Sequence, residues 1–117
     1  MNLVLNNELK LIVITRRDLK PGDQGTQSIH VVSDYMLKYG RENSALEWKE
    51  KSNSVVWLSC KDEEELKKLS LAFNEITLVK EFYEPDLGYD LTAICFIADY
   101  HIRKKVSSLP LALKQAN

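Results

Sequence analysis

Four short apolar runs punctuate the chain, and between them apolar positions recur at helical rather than alternating spacing. Leu9–Thr15 (LKLIVIT) is nearly continuous and rich in β-branched residues, which predicts a central strand buried on both faces. Ser54–Lys61 (SVVWLSCK) reads as a second strand, Leu78–Tyr83 as a third, and the apolar run Thr92–Ala98 (TAICFIA) as a fourth. Asp18–Gly25 (DLKPGDQG) holds a proline and two glycines, so a loop is expected there, with a helix starting at Thr26. Ile29, Val32 and Met36 then recur at i, i+3, i+7 as the expected buried stripe, and Gly40 is the expected stop.

Ser44–Lys51 predicts a short helix, with Ser44 as N-cap and Glu47 three residues on. Asp62–Ile76 is the clearest helix. Asp62 can cap it, Glu63–Glu65 complement its positive end, and Leu66, Leu69, Phe73 and Ile76 keep helical spacing. Pro85 and Gly88 bracket a loop, EPDLGYD, and Tyr100–Ser107 reads as a last helix before LPLALK. The order β-α-α-β-α-β-β-α implies an α/β fold: three layers, α/β/α, around a mixed four-stranded sheet. The loop joining the last two strands is too short for a crossover, so those strands should be antiparallel neighbours.

Length bounds this to one domain, because 117 residues suffice for one core; that core is expected to span about residues 9–114. Composition excludes disorder, with 44% hydrophobic and 28% charged residues. The formal net charge of −1 argues against a strongly electrostatic nucleic-acid binder, although Arg16, Arg17 and Lys20 cluster at one strand end. Arg103–Lys105 forms a second basic group, expected on a solvated helix face. Cys60 and Cys95 sit in apolar strands and suit buried free thiols. With two histidines and no CxxC pair, no metal site is expected, and no cofactor. Met1–Asn7 lacks a basic region and a long apolar stretch, so it does not read as a signal peptide, and no run approaches a membrane span. A cytoplasmic protein is expected.

Two constellations carry chemistry. Arg17-Asp18-Leu19-Lys20 leads through a Gly-containing loop to Gln27 and His30, which share one helix face at i, i+3. Thr92 opens the last apolar strand, preceded by a loop with Glu84, Asp86 and Gly88. Each residue has a plain structural alternative: His30 packed and hydrogen-bonded, Gln27 capping a helix, Asp18 closing an Asx-turn, Asp86 serving as a turn residue.

The R-D-L turn, Q-x-x-H and the Thr-led strand, in this order and spacing, resemble the archaeal/eukaryotic-type peptidyl-tRNA hydrolases (type II-like) over about Leu9–Lys114. The resemblance implies hydrolysis of the ester joining a peptidyl or N-blocked aminoacyl group to tRNA. It implies Asp86 (or Glu84, at the same loop), Lys20, Thr92, Gln27 and His30 as catalytic, with Arg16, Arg17 and Lys20 holding phosphates of the acceptor end. N–H groups near Gly25–Gln27 would then meet an oxyanion or a phosphate. Pro21–Gly25 departs from the family's lysine-bearing loop, having no lysine. That departure implies the alternative, a catalytically degenerate member binding a nucleotide, an RNA end or a protein partner. An exposed strand edge would also permit a homodimer.

Overall fold

The computed structural model describes residues 8–114. The expectation that Met1–Asn7 is no signal peptide falls outside them. The elements are β1 (Lys10–Arg16), α1 (Pro21–Tyr39), α2 (Asn43–Glu47), β2 (Ser54–Cys60), α3 (Glu63–Asn74), β3 (Val79–Glu84), β4 (Asp90–Ala98) and α4 (Tyr100–Lys104). The sheet runs β2-β1-β4-β3, with β1 and β2 parallel and β4 antiparallel to both its neighbours. It is the expected mixed four-stranded sheet, and helices cover both faces.

Alternation along the strands builds one core on each face. Leu11, Val13, Ala93, Cys95 and Ile97 turn toward Val31 and Tyr35 of α1 and toward Trp48. Ile12, Ile14, Ile94 and Phe96 turn toward Leu66 and Phe73 of α3 and Val106 beyond α4. β1 and β4 contribute to both cores, which explains their almost unbroken apolar sequences. Phe96 and Trp48 are buried as aromatic core residues, while Trp57 and Phe82 are half-buried.

Several local expectations are corrected. α1 starts at Pro21, not Thr26, because proline at the first helical position loses no needed N–H and already has a helical φ. Gly22 and Gly25 lie inside the helix. The fully buried positions of α1 are Gln24, Gln27, Val31 and Tyr35; of the expected stripe, Val32 and Met36 are half-buried and pack against the same core, while Ile29 is left 72% exposed. Two glutamines take inner positions in the first half of the helix, which is why hydrophobic spacing points to Ile29 there and is off by part of a turn. Ser44 is not a cap: α2 is preceded by Glu42 without a side-chain cap bond, and the chain continues as a wide π-type turn over Trp48–Ser52.

Asp62 does cap α3, accepting from the Glu65 N–H at 3.0 Å. Ile76 lies beyond the helix end and is exposed. α4 closes at Lys104, shorter than expected. Within its basic group, Arg103 is half-buried, donates to the Glu8 carbonyl and lies over Tyr100, so it is not simply solvated.

The LPLALK segment has a role that its sequence does not advertise. The Ser59 N–H donates to the Pro110 carbonyl and the Ala112 N–H to the Trp57 carbonyl, both at 2.9 Å. Leu111 thereby bridges to Leu58, and the outer edge of β2 is covered.

Candidate functional site

Of the residues singled out in the sequence, Gln27, Thr92 and Glu84 meet where the N-terminal half of α1 crosses the ends of β3 and β4, while among the described residues no hydrogen bond or ion pair joins Lys20, Arg16 or Arg17 to them. β3 pairs Phe82 with Ala93 but Tyr83 with Leu91, so Thr92 is the extra residue of a β-bulge. A bulge disrupts simple alternation. Leu91 faces α3, whereas the Thr92 hydroxyl reaches the opposite layer and donates to Gln27 Oε1 at 2.8 Å. The other end of that amide, Nε2, donates to Glu84 Oε1 at 2.9 Å. Glu84 Oε2 accepts the Asp86 N–H at 3.3 Å. Gln27, Thr92 and Glu84 are all buried.

Of the two acids that the sequence left open, Glu84 therefore takes the inner place. Asp86 sits exposed on a 3-10 turn, Pro85–Leu87, and its contact with the cluster is its backbone N–H. Gly88 closes that turn at φ 67, in the left-handed region where a side chain is strained. The Gln27 amide is the largest influence holding the Glu84 carboxyl below its ordinary range; the Asp86 N–H and the nearby His30 add to it, and burial opposes them. Glu84 is thus held as a carboxylate.

His30 is exposed, not packed into the core, and its ring stacks on Phe82 with centroids 4.7 Å apart and planes 11° apart. One turn before Gln27, a second glutamine repeats the arrangement. Thr15 Oγ1 donates to Gln24 Oε1 at 3.0 Å, Gln24 Nε2 donates to the Leu19 carbonyl, and Trp57 Nε1 donates to Thr15 Oγ1. Sequence reading missed this trio, and also Phe82 as the platform for His30. The available signal was the i, i+3 spacing of the glutamines above two strands that each carry a terminal threonine. Among the described residues no buried side-chain polar atom lacks a partner.

The basic residues divide. Arg16 is buried and does not form a rim. It grips Asp18 with two bonds (2.9 and 3.0 Å), reaches Asp90 at 3.4 Å and donates to the Leu91 carbonyl. The hydrogen bonds to Asp18 chiefly raise the Arg16 pKa, and the same contact lowers that of Asp18. Asp18 is consequently a partner for Arg16 rather than an Asx-turn residue. Arg17 and Lys20 are exposed, Lys20 at the N-cap of α1. The N–H groups of Gly25–Gln27 lie inside α1, where the helix ladder occupies them, so they do not form an anion-binding helix start.

Cys60 and Cys95 are buried free thiols. Burial pushes Cys60 up to about 12 and also raises Cys95, which disfavours either as a nucleophile. Among the described residues no group of three or more His, Cys, Asp or Glu side chains lies together as a metal site, and no helix is long and apolar enough to cross a membrane.

No protein-family model matches the chain, and no curated protein matches it in sequence. A solved structure of a protein of unknown function from Agrobacterium tumefaciens strain C58 is similar, with a TM-score of 0.64 at 15% identity, over 89% of this chain and 97% of that one. At that identity the likeness is one of fold.

Proposed function

We propose that the chain is a divergent peptidyl-tRNA hydrolase-like esterase, cleaving the ester between a peptidyl or N-blocked aminoacyl group and the terminal ribose of tRNA. The observation that carries this reading is the Glu84 carboxylate, fixed at the end of β3 by the Gln27 amide and the Asp86 N–H, with the exposed His30 imidazole close by. An ionised carboxylate held in one orientation can position a water for attack on an ester carbonyl. An adjacent imidazole is the usual carrier for the proton released. Gln27 and Thr92 act as positioning residues: their polar atoms are engaged with each other and with Glu84. Arg17 and Lys20, at the β1–α1 turn, can meet backbone phosphates without reading sequence.

Purified protein is expected to release labelled N-blocked amino acid from N-blocked aminoacyl-tRNA. Glu84→Gln should lower that rate by about 100-fold or more. The absence of any release by the unaltered chain at micromolar concentration overturns the reading.

A second reading is a non-catalytic binder of a nucleotide or an RNA end. It is favoured by the full mutual satisfaction of Gln27 and Thr92 and by the lack of lysine within Pro21–Gly25. Binding that weakens with salt, raises the melting temperature and survives Glu84→Gln would select it. Either activity is compatible with a homodimer formed through an open strand edge.

A further inference from the structure

The two edges of the sheet are treated differently. The C-terminal segment covers the edge of β2, whereas among the described residues no strand lies against the outer edge of β3. The Phe82 carbonyl lies 3.3 Å from the Thr92 hydroxyl and the Glu84 carbonyl accepts from the Tyr89 N–H, so both turn inward, toward β4 and its connecting loop. By alternation, Glu81 and Tyr83 direct their N–H and C=O groups outward. A cleft of about 330 Å³ follows this edge, between Lys38 of α1 and Leu71 and Asn74 of α3. Leu71 is 72% exposed on its rim, and Leu37, seven residues after His30 and so on the same side of α1, is 88% exposed.

We propose that this edge is the two-fold interface of a homodimer, in which Lys80 of each copy lies opposite Glu84 of the other. Lys80, Phe82 and Glu84 alternate onto the α1 face of β3, where Phe82 joins the α1-side core. A two-fold axis through an antiparallel strand pair keeps each face on its own side, so it can be centred only on a residue. Centred on Glu81 it sets Glu81 against itself, and centred on Lys80 it sets Lys80 against itself; like charges directly opposite are unfavourable. Centred on Tyr83 it places Phe82 against the Glu84 carboxylate. Centred on Phe82, every pair is complementary: Lys80 with Glu84, Glu81 with Tyr83, and Phe82 with Phe82.

The edge is therefore complementary to a second copy of itself, and the contact is isologous, as a closed dimer requires. The pairing joins two sheets into one of eight strands and covers Leu37 and Leu71. It also gives Glu84, which has no ion pair among the described residues, an ammonium group from the partner. The interface runs past Glu84 of the candidate site, so a role for Lys80 in turnover rests on the esterase reading, whereas the pairing itself does not.

Sedimentation of the full chain reads the interface without reference to activity. A dimer is expected at micromolar concentration. Lys80→Glu, which puts two carboxylates opposite each other twice per dimer, should weaken it by at least about tenfold. Phe82→Cys, at the axis, should form an intermolecular disulfide under mild oxidation, since a residue whose polar groups turn inward makes a non-hydrogen-bonded pair there, with Cα atoms about 4.5 Å apart and within disulfide reach. Cys60 and Cys95 are buried and should not contribute to it. A monomer at every concentration, a dimer unaffected by Lys80→Glu, or a dimer without the Phe82→Cys cross-link each overturns the proposal. A dimer lacking esterase activity overturns the functional reading alone.

Discussion

Gln27 of α1 and Thr92 of β4, 65 positions apart, are tied by a 2.8 Å hydrogen bond that exists because Thr92 is the bulged residue of its strand. Without the bulge, strict alternation would put position 92 on the face of α3, away from Gln27. The bond leaves the amide of Gln27 one orientation, with its NH2 aimed at Glu84. Backbone irregularity at one position thus fixes the orientation of a carboxylate on another strand.

Removing that hydroxyl should cost stability and loosen the acid together. Thr92→Val leaves Gln27 Oε1 buried without its donor, and a loss of about 1–3 kcal/mol is expected. Thr92→Ser keeps the hydroxyl and should recover most of it. Urea unfolding, read as a shift in midpoint at unchanged slope, measures both.

The Glu84 carboxyl gives a pH signature with a definite sign. Its folded-state pKa lies below the ordinary 4.5, chiefly through the Gln27 amide. The ionised form therefore stabilises the native state above the ordinary value, and this contribution disappears as pH falls through the lower, folded one. Glu84→Gln should flatten the loss of stability on acidification below about pH 5. Chemical denaturation of both proteins across pH 3–7 should show curves that converge at the acid end; parallel curves would exclude the coupling.

The rotated phase of α1 is testable by paired substitutions. Ile29→Lys, on the exposed side, should change stability by less than about 0.5 kcal/mol. Val31→Ala, in the α1-side core, should cost about 2 kcal/mol. Were Ile29 turned inward and Val31 outward, the ranking would reverse in a thermal or denaturant melt.

Ala112→Pro removes the N–H that bonds to Trp57 and uncovers part of β2. Faster amide exchange near the β2 edge and earlier aggregation on heating are expected, with the core strands still protected. Hydrogen-exchange mass spectrometry separates the two regions.

The four strands, the Asp62-capped helix and the antiparallel final pair were legible in the sequence, because apolar runs, caps and short loops are local signals. The Q-x-x-H spacing and the threonine that leads the last apolar strand also identified residues that the fold brings close together, whereas Asp18 of the R-D-L turn pairs with Arg16 instead. Their division of labour was not legible. Arg16 reads as a surface cation, yet Asp18, Asp90 and the Leu91 carbonyl hold it inside. Asp86 and Glu84 are equivalent acids in a string of letters, and the turn at Pro85 decides which carboxyl enters.

The element order and the strands that must be buried on both faces can be read from the letters alone, since each follows from a few neighbouring residues. The inner positions of α1, the inward place of Glu84 and the cover over β2 emerge only once the chain is folded. Each of those depends on where a buried polar atom finds a partner many residues away, and spacing along the chain carries no record of that distance.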